Sequence, residues 1–205
     1  MTCQVELPVT GGYDVDMDTA FLEELIEYKV APKPLIAIQG LLNTHDYERG
    51  EELLTDPPAA AAWLTGAGLL KKGGTVSGEE YQDLLWLRQT LREILEAQSH
   101  TELDRDAIES LRQLSDKYPA GYDVSEDGLV ALCLKPVDAA DELIGQLVGI
   151  VGMAQDLDWW QRLKICAADD CRWAFYDSSK NRGGTWCRME VCGNRNKNRR
   201  YRSKS

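Results

Sequence analysis

Cys166-Ala167-Ala168-Asp169-Asp170-Cys171, followed by Cys187-Arg188-Met189-Glu190-Val191-Cys192-Gly193-Asn194-Arg195, decides how this chain is read. The spacing is C-x4-C-x15-C-x4-C. Each cysteine pair fits one tight knuckle that aims both sulfurs inward, and the loop between the pairs closes the fold around a tetrahedral ion. Cys166, Cys171, Cys187 and Cys192 are therefore expected to hold one Zn²⁺. Four protein ligands leave no open coordination position, so the site is expected to be structural. A segment of about forty residues has too little core to fold unaided, and metal binding supplies what the core lacks. The competing readings are two disulfides or idle thiols. No signal peptide is visible and no apolar run approaches the roughly 20 residues that span a bilayer. The expectation is a soluble, cytoplasmic protein, where disulfides fit poorly. Cys3 and Cys133 stand apart and are read as thiols without a role.

Directly after the last cysteine comes Gly193-Asn194-Arg195-Asn196-Lys197-Asn198-Arg199-Arg200-Tyr201-Arg202. The overall charge of −11 hides a division: residues 162–205 carry 12 Lys+Arg against 4 Asp+Glu, and residues 1–161 carry 11 against 30. The body repels polyanions and the tail attracts them. Four thiolates on one divalent zinc leave about −2 at the site, which does not cancel the tail. Asn194 is read as the cap of a helix on which Arg195, Arg199 and Arg202 share one face. With Lys197 and Arg200 these are the candidate nucleic-acid contacts, to phosphates or to guanine edges. DNA is the first partner considered, and folded RNA suits the same chemistry. The competing reading is a tail docked on the chain's own acidic body, with the zinc module serving protein interaction.

Upstream, the pattern is mostly helical. A short helix is expected near residues 21–26, ended by Pro32 and Pro34, and another over 35–43. Thr55-Asp56 precede Pro57, which opens a helix through Trp63 and Leu64. Gly66, Gly68 and Gly73-Gly74 read as a loop. Ser77 and Glu80 form a capping box for a helix running to about Gln98. Thr101 or Asp104 opens the next, to about Lys117. Residues 122–134, with Gly128 between two apolar runs, read as a hairpin. Pro136 is expected to start a long helix to about Trp160. The fold class is thus α+β: a mostly helical N-terminal domain with a small sheet over 1–160, then a zinc-ribbon-like module with two knuckles and a basic helix over 161–205.

On the Ser77 helix, Leu84, Leu91 and Leu95 mark the apolar stripe, and at about 100° per residue Arg88 falls inside it. Arg92 lies one turn on. A cation on a core face needs a partner or a cavity. An internal ion pair is one reading. The other is a pocket for a small effector, with Arg88, Arg92 and Asn43 as candidates. His45 and His100 have no spacing partner and read as surface or capping residues. No glycine-rich phosphate loop and no G-x-S-x-G elbow is present, and the chain is read as a non-enzyme.

The run Cys166-x4-Cys171-Arg172-Trp173-x-Phe175-Tyr176-Asp177-x-Ser179, then Trp186-Cys187 and Cys192-Gly193-Asn194-Arg195, closely resembles the CGNR zinc-finger family. Members usually carry an N-terminal ABATE domain and are regarded as stress-induced transcriptional regulators. A weaker N-terminal resemblance rests on Asn43-Thr44, on Pro57 before Trp63-Leu64, and on Leu87-Arg88 with Leu91-Arg92. The resemblance implies an α+β N-terminal domain, a zinc-bound C-terminal knob and DNA binding. Two features depart from the family pattern. Gly183-Gly184-Thr185 stand where the family tends to arginine, and Asp169-Asp170 make the first knuckle acidic. Both lower the positive charge near the expected nucleic-acid face.

Overall fold

The computed structural model describes residues 19–98, 105–124, 130–134 and 136–202. Cys3, His100, Gly128 and the expected helix openers Thr101 and Asp104 lie outside these residues. Helix α1 (Thr19–Ile26) leads to α2 (Ile36–Leu42), which is buried on every side. A short antiparallel hairpin follows, β1 (His45–Asp46) and β2 (Glu51–Glu52), and then α3 (Pro57–Gly66). Asp56 Oδ1 accepts from the Ala59 amide at 2.8 Å, so α3 opens on the expected cap with Pro57 in its first turn. Strand β3 (Leu70–Thr75) precedes α4 (Gly78–Ala97), whose capping box is complete: Ser77 Oγ accepts from the Glu80 amide and Glu80 returns to the Ser77 amide. Helix α5 (Arg105–Lys117) lies against α4. The hairpin β4 (Tyr122–Val124) and β5 (Val130–Leu132) pairs Asp123 with Ala131, as the apolar runs predict.

Three expectations need correction. Gly73-Gly74 are not loop residues, and Pro136 does not start a helix. Residues 70–75 form β3, which pairs in parallel with β6 (Val137–Ala139); α6 (Ala140–Asp156) starts only after that strand. The glycines permit the pairing. A Cβ on Gly74 would lie 2.9 Å from the Asp138 carbonyl oxygen, and Gly73 adopts φ +87° where the register slips. A bulge with close backbone approach needs residues without side chains. The helix expected to reach Trp160 stops at Asp156, and Trp160–Arg162 make a single 3-10 turn.

The C-terminal part begins with the antiparallel pair β7 (Leu163–Ile165) and β8 (Ala174–Tyr176). A π-helical turn (Met189–Gly193) runs into α7 (Asn194–Arg202). The main core gathers α2, α3, α4 and α6, and it continues past residue 160 into fully buried Leu163 and Ala174. No helix among the described residues is long and apolar enough to cross a membrane.

Candidate metal centre and basic helix

Strands β7 and β8 hold the first knuckle between them. The Cys166 amide donates to the Trp173 carbonyl, and the Cys171 and Arg172 amides both donate to the Ala168 carbonyl. Arg172 takes φ +51°, which turns the chain back into β8. The second knuckle is the π-helical turn. A Cβ added at Gly193 would lie 2.4 Å from Met189 Sδ and 3.2 Å from Trp186, so a side chain there would have to displace the exposed Met189 side chain. The Ala167 amide donates to the Thr185 carbonyl and ties the knuckles together.

All four sulfurs lie within 4.8 Å of one another, and Cys171–Cys187 and Cys187–Cys192 are 3.6 Å apart. A disulfide needs about 2.05 Å. A tetrahedral centre with bonds of about 2.3 Å sets ligand sulfurs about 3.8 Å apart, close to what is seen. Hydrogen bonds from Cys171 and Cys187 lower the Cys166 thiol, and the same crowding pushes Cys171 and Cys187 up. One thiolate is stabilised at the cost of its neighbours, so holding all four deprotonated takes a cation. The donor set fits one structural zinc ion. Trp173, Phe175 and Trp186 pack around these cysteines, and Tyr176 joins the main core.

The cations of α4 are not open. Arg88 makes a forked pair with Glu52 at 2.6 and 2.8 Å and also donates to Thr44 Oγ1. Burial alone would raise the Glu52 carboxyl, but Arg88, the Leu54 amide and His45 hold it below its usual range. His45 is thus a partner within this hairpin, 3.1 Å from Glu52. Arg92 is 1 % exposed. Its guanidinium donates to the Arg172 carbonyl and to the Leu42 carbonyl at the negative end of α2, and it stacks on Tyr47 at 4.7 Å. Burial pulls its pKa down to about 10, which leaves it charged at neutral pH. Arg172 also stacks on Tyr47, at 4.5 Å, and pairs with Glu96. Asn43 pairs with β8 as a strand would. Its amide donates to the Ala174 carbonyl at 2.9 Å and its oxygen accepts the Ala174 amide at 2.8 Å. Asn43 borders a cleft of about 410 Å³ between the β1–β2 hairpin, the end of α1 and the first knuckle. Arg88 and Arg92 do not line that cleft.

Helix α7 carries its cations on two sides. Arg195 and Arg199 reach the chain's own carboxylates, Glu48 and Asp170, and exposed Arg202 lines the same surface groove, while Lys197 is exposed on the other side. Arg200 lies on the same helix. Asn194 is not a cap as expected. It has helical backbone angles, and its side chain donates back to the Glu190 carbonyl, because the π-helical turn feeds straight into α7.

With this geometry in view, two families match the sequence. The CGNR zinc finger matches residues 162–205. The ABATE family, described as "Putative stress-induced transcription regulator", matches residues 37–154, more than half of the chain. The chain belongs to the ABATE family. No curated protein matches its sequence significantly.

In this ABATE protein the finger is wedded to the body by residues that sequence reasoning passed over. Gln39, on buried α2, donates to both the Lys29 and Ala174 carbonyls and accepts from the Ala31 amide. Lys29 reaches the Trp186 carbonyl at 2.7 Å and lies over the Phe175 ring. Tyr28 donates to Cys187 Sγ, and Arg188 covers its ring. A polar glutamine within an otherwise apolar helix was the available signal for Gln39; nothing local marks Tyr28 or Lys29. Within the CGNR finger, Asp177 is a hub. It accepts from the Ser179 and Gly184 amides and pairs with Lys164 at 2.9 Å.

Proposed function

We propose that this protein is a DNA-binding transcriptional regulator in which a structural zinc site presents the exposed side of α7 to DNA. The observation that carries the reading is the placement of α7. It leaves the zinc centre directly through a π-helical turn and displays Lys197 and Arg202 to solvent, on a chain whose C-terminal part is strongly basic. Cations on an exposed helix are suited to phosphate contact, and α7 is slim enough to lie in a major groove. The N-terminal domain is the sensing part, and its cleft beside the first knuckle is the place for a small effector or a partner's side chain. Four thiolates fill the zinc's coordination sphere, so the metal's work is to shape the module, and catalysis is not part of this reading.

A fluorescence-anisotropy salt series with zinc-loaded protein and random duplex DNA tests the proposal. If Arg195 and Arg199 stay on their carboxylates, Lys197, Arg200 and Arg202 give a slope of log K against log salt of about −3. All five cations engaged would give about −4 to −5. Binding is expected to vanish on chelation. Stronger binding to structured RNA than to duplex would move the reading to RNA.

The second reading has its own support: the contacts of Arg195 with Glu48 and Asp170, and of Arg199 with Asp170, dock the tail on acidic groups. Under it, zinc-loaded protein shows no binding at low salt, and deleting residues 193–205 lowers the melting temperature of the body.

A further inference from the structure

Arg195 stands where three parts of the chain meet. Its Nη1 donates to Glu48 Oε1 at 2.6 Å, on the turn of the β1–β2 hairpin. Its Nη2 donates to Cys192 Sγ at 3.6 Å and lies 3.3 Å from Asp170 Oδ1 in the first knuckle. One turn along α7, Arg199 reaches the other oxygen of Asp170 at 3.1 Å. The first turn of the helix is thereby tied to the N-terminal domain, to the first knuckle and to a zinc-site sulfur of the second.

The pair with Glu48 is part-exposed, and such pairs contribute little by themselves. The contact with sulfur differs in kind. A zinc centre with four thiolates carries about −2, and an N–H donor from a cation withdraws charge from the sulfur it meets. Arginine suits this position because its planar fork can serve a carboxylate and a thiolate from one rigid group; lysine offers a single point charge. A phosphate would have to displace both partners to reach the same nitrogens.

We infer that Arg195 is a positioning residue and not a phosphate contact: it fixes the direction in which α7 leaves the zinc centre and tunes the Cys192 thiolate. The DNA part of this inference rests on the proposed function; the metal part does not.

The test uses the full chain, loaded with zinc or with cobalt(II), as wild type, Arg195→Ala, Arg195→Lys and Glu48→Gln. Loss of an outer-shell partner weakens metal binding by about 10-fold or more. Arg195→Ala is expected to lose that much in competition with a chelator and to shift the thiolate-to-cobalt charge-transfer band. Glu48→Gln, which leaves the sulfur contact in place, is expected to keep the band where it is. In the salt series, Arg195→Ala is expected to bind DNA more weakly with its slope unchanged, and Arg195→Lys to recover part of the loss. A fall of about 0.9 in the slope of Arg195→Ala is the signature of one lost phosphate contact and overturns the inference. An unshifted band with unchanged metal affinity also overturns it. If wild type binds no nucleic acid, the proposed function falls and the cobalt measurements still decide the role of Arg195. One metal per chain in each variant shows that the module has folded.

Discussion

Asn43 shows how a single side chain can do the work of a strand. It is 1 % exposed and completes the edge of β8 with both a donor and an acceptor. Asn43→Ala strands the Ala174 amide in a dry interface, which costs about 1–3 kcal/mol. The expected result is a lower denaturation midpoint at an unchanged m-value; an unaltered midpoint would count against this account. Asp177 gives the second residue-scale prediction. Burial opposes its charge, yet hydrogen bonds from Ser179, Lys164 and Gly184 hold the carboxyl well below its usual 3.8. A depressed folded-state pKa contributes stability that is complete above the ordinary value and is lost as pH falls through the folded one. Melting temperature should therefore drop as pH falls below about 4, and Asp177→Asn should flatten part of that drop. Glu52, also lowered, contributes in the same sense.

Helices with local signals were legible. The Asp56 cap, the Ser77–Glu80 box and the cysteine knuckles each close within a few residues, so spacing alone reveals them. The β3–β6 pair was not, because a parallel pairing joins residues 70 and 137 and leaves no local trace. Two glycines that read as a loop are there because a strand comes close. Gly74→Ala would push β3 from β6, and the expected outcome is a loss of about 1–3 kcal/mol by thermal melting, as for an overpacked core site. The stripe on α4 correctly asked for partners at Arg88 and Arg92, yet those partners lie on the hairpin, on α2 and on the knuckle. Sequence periodicity gives a side chain's face and not what waits opposite. The expected cap at Asn194 failed for a related reason: a helix that continues from a preceding π-helical turn has no free first turn to cap.

Over the whole molecule, the finger and the ABATE region share buried surface. Leu163 and Ala174 belong to the main core, and Tyr28, Lys29, Gln39, Asn43 and Arg92 reach across to the finger. Chelation is therefore expected to lower the melting temperature of the entire chain in one cooperative step. Two separated transitions in calorimetry, with the larger one insensitive to metal, would show instead that the body is indifferent to zinc. Removing any one ligand, as in Cys187→Ser, should have the same effect as chelation and bring zinc content well below one per chain.

The contacts of α2 also bear on how the chain is made. The Ala174 carbonyl that Gln39 and Asn43 meet lies 135 and 131 residues downstream of them. During synthesis those two carboxamides emerge long before their partner, on a helix otherwise ready for burial. The body's last polar groups can be satisfied only once β8 has left the ribosome, and β8 follows the first knuckle. Completion of the early part of the protein thus waits on its end, and a chain cut short before the finger leaves the Asn43 carboxamide without its Ala174 partner and Gln39 with only its Lys29 and Ala31 contacts.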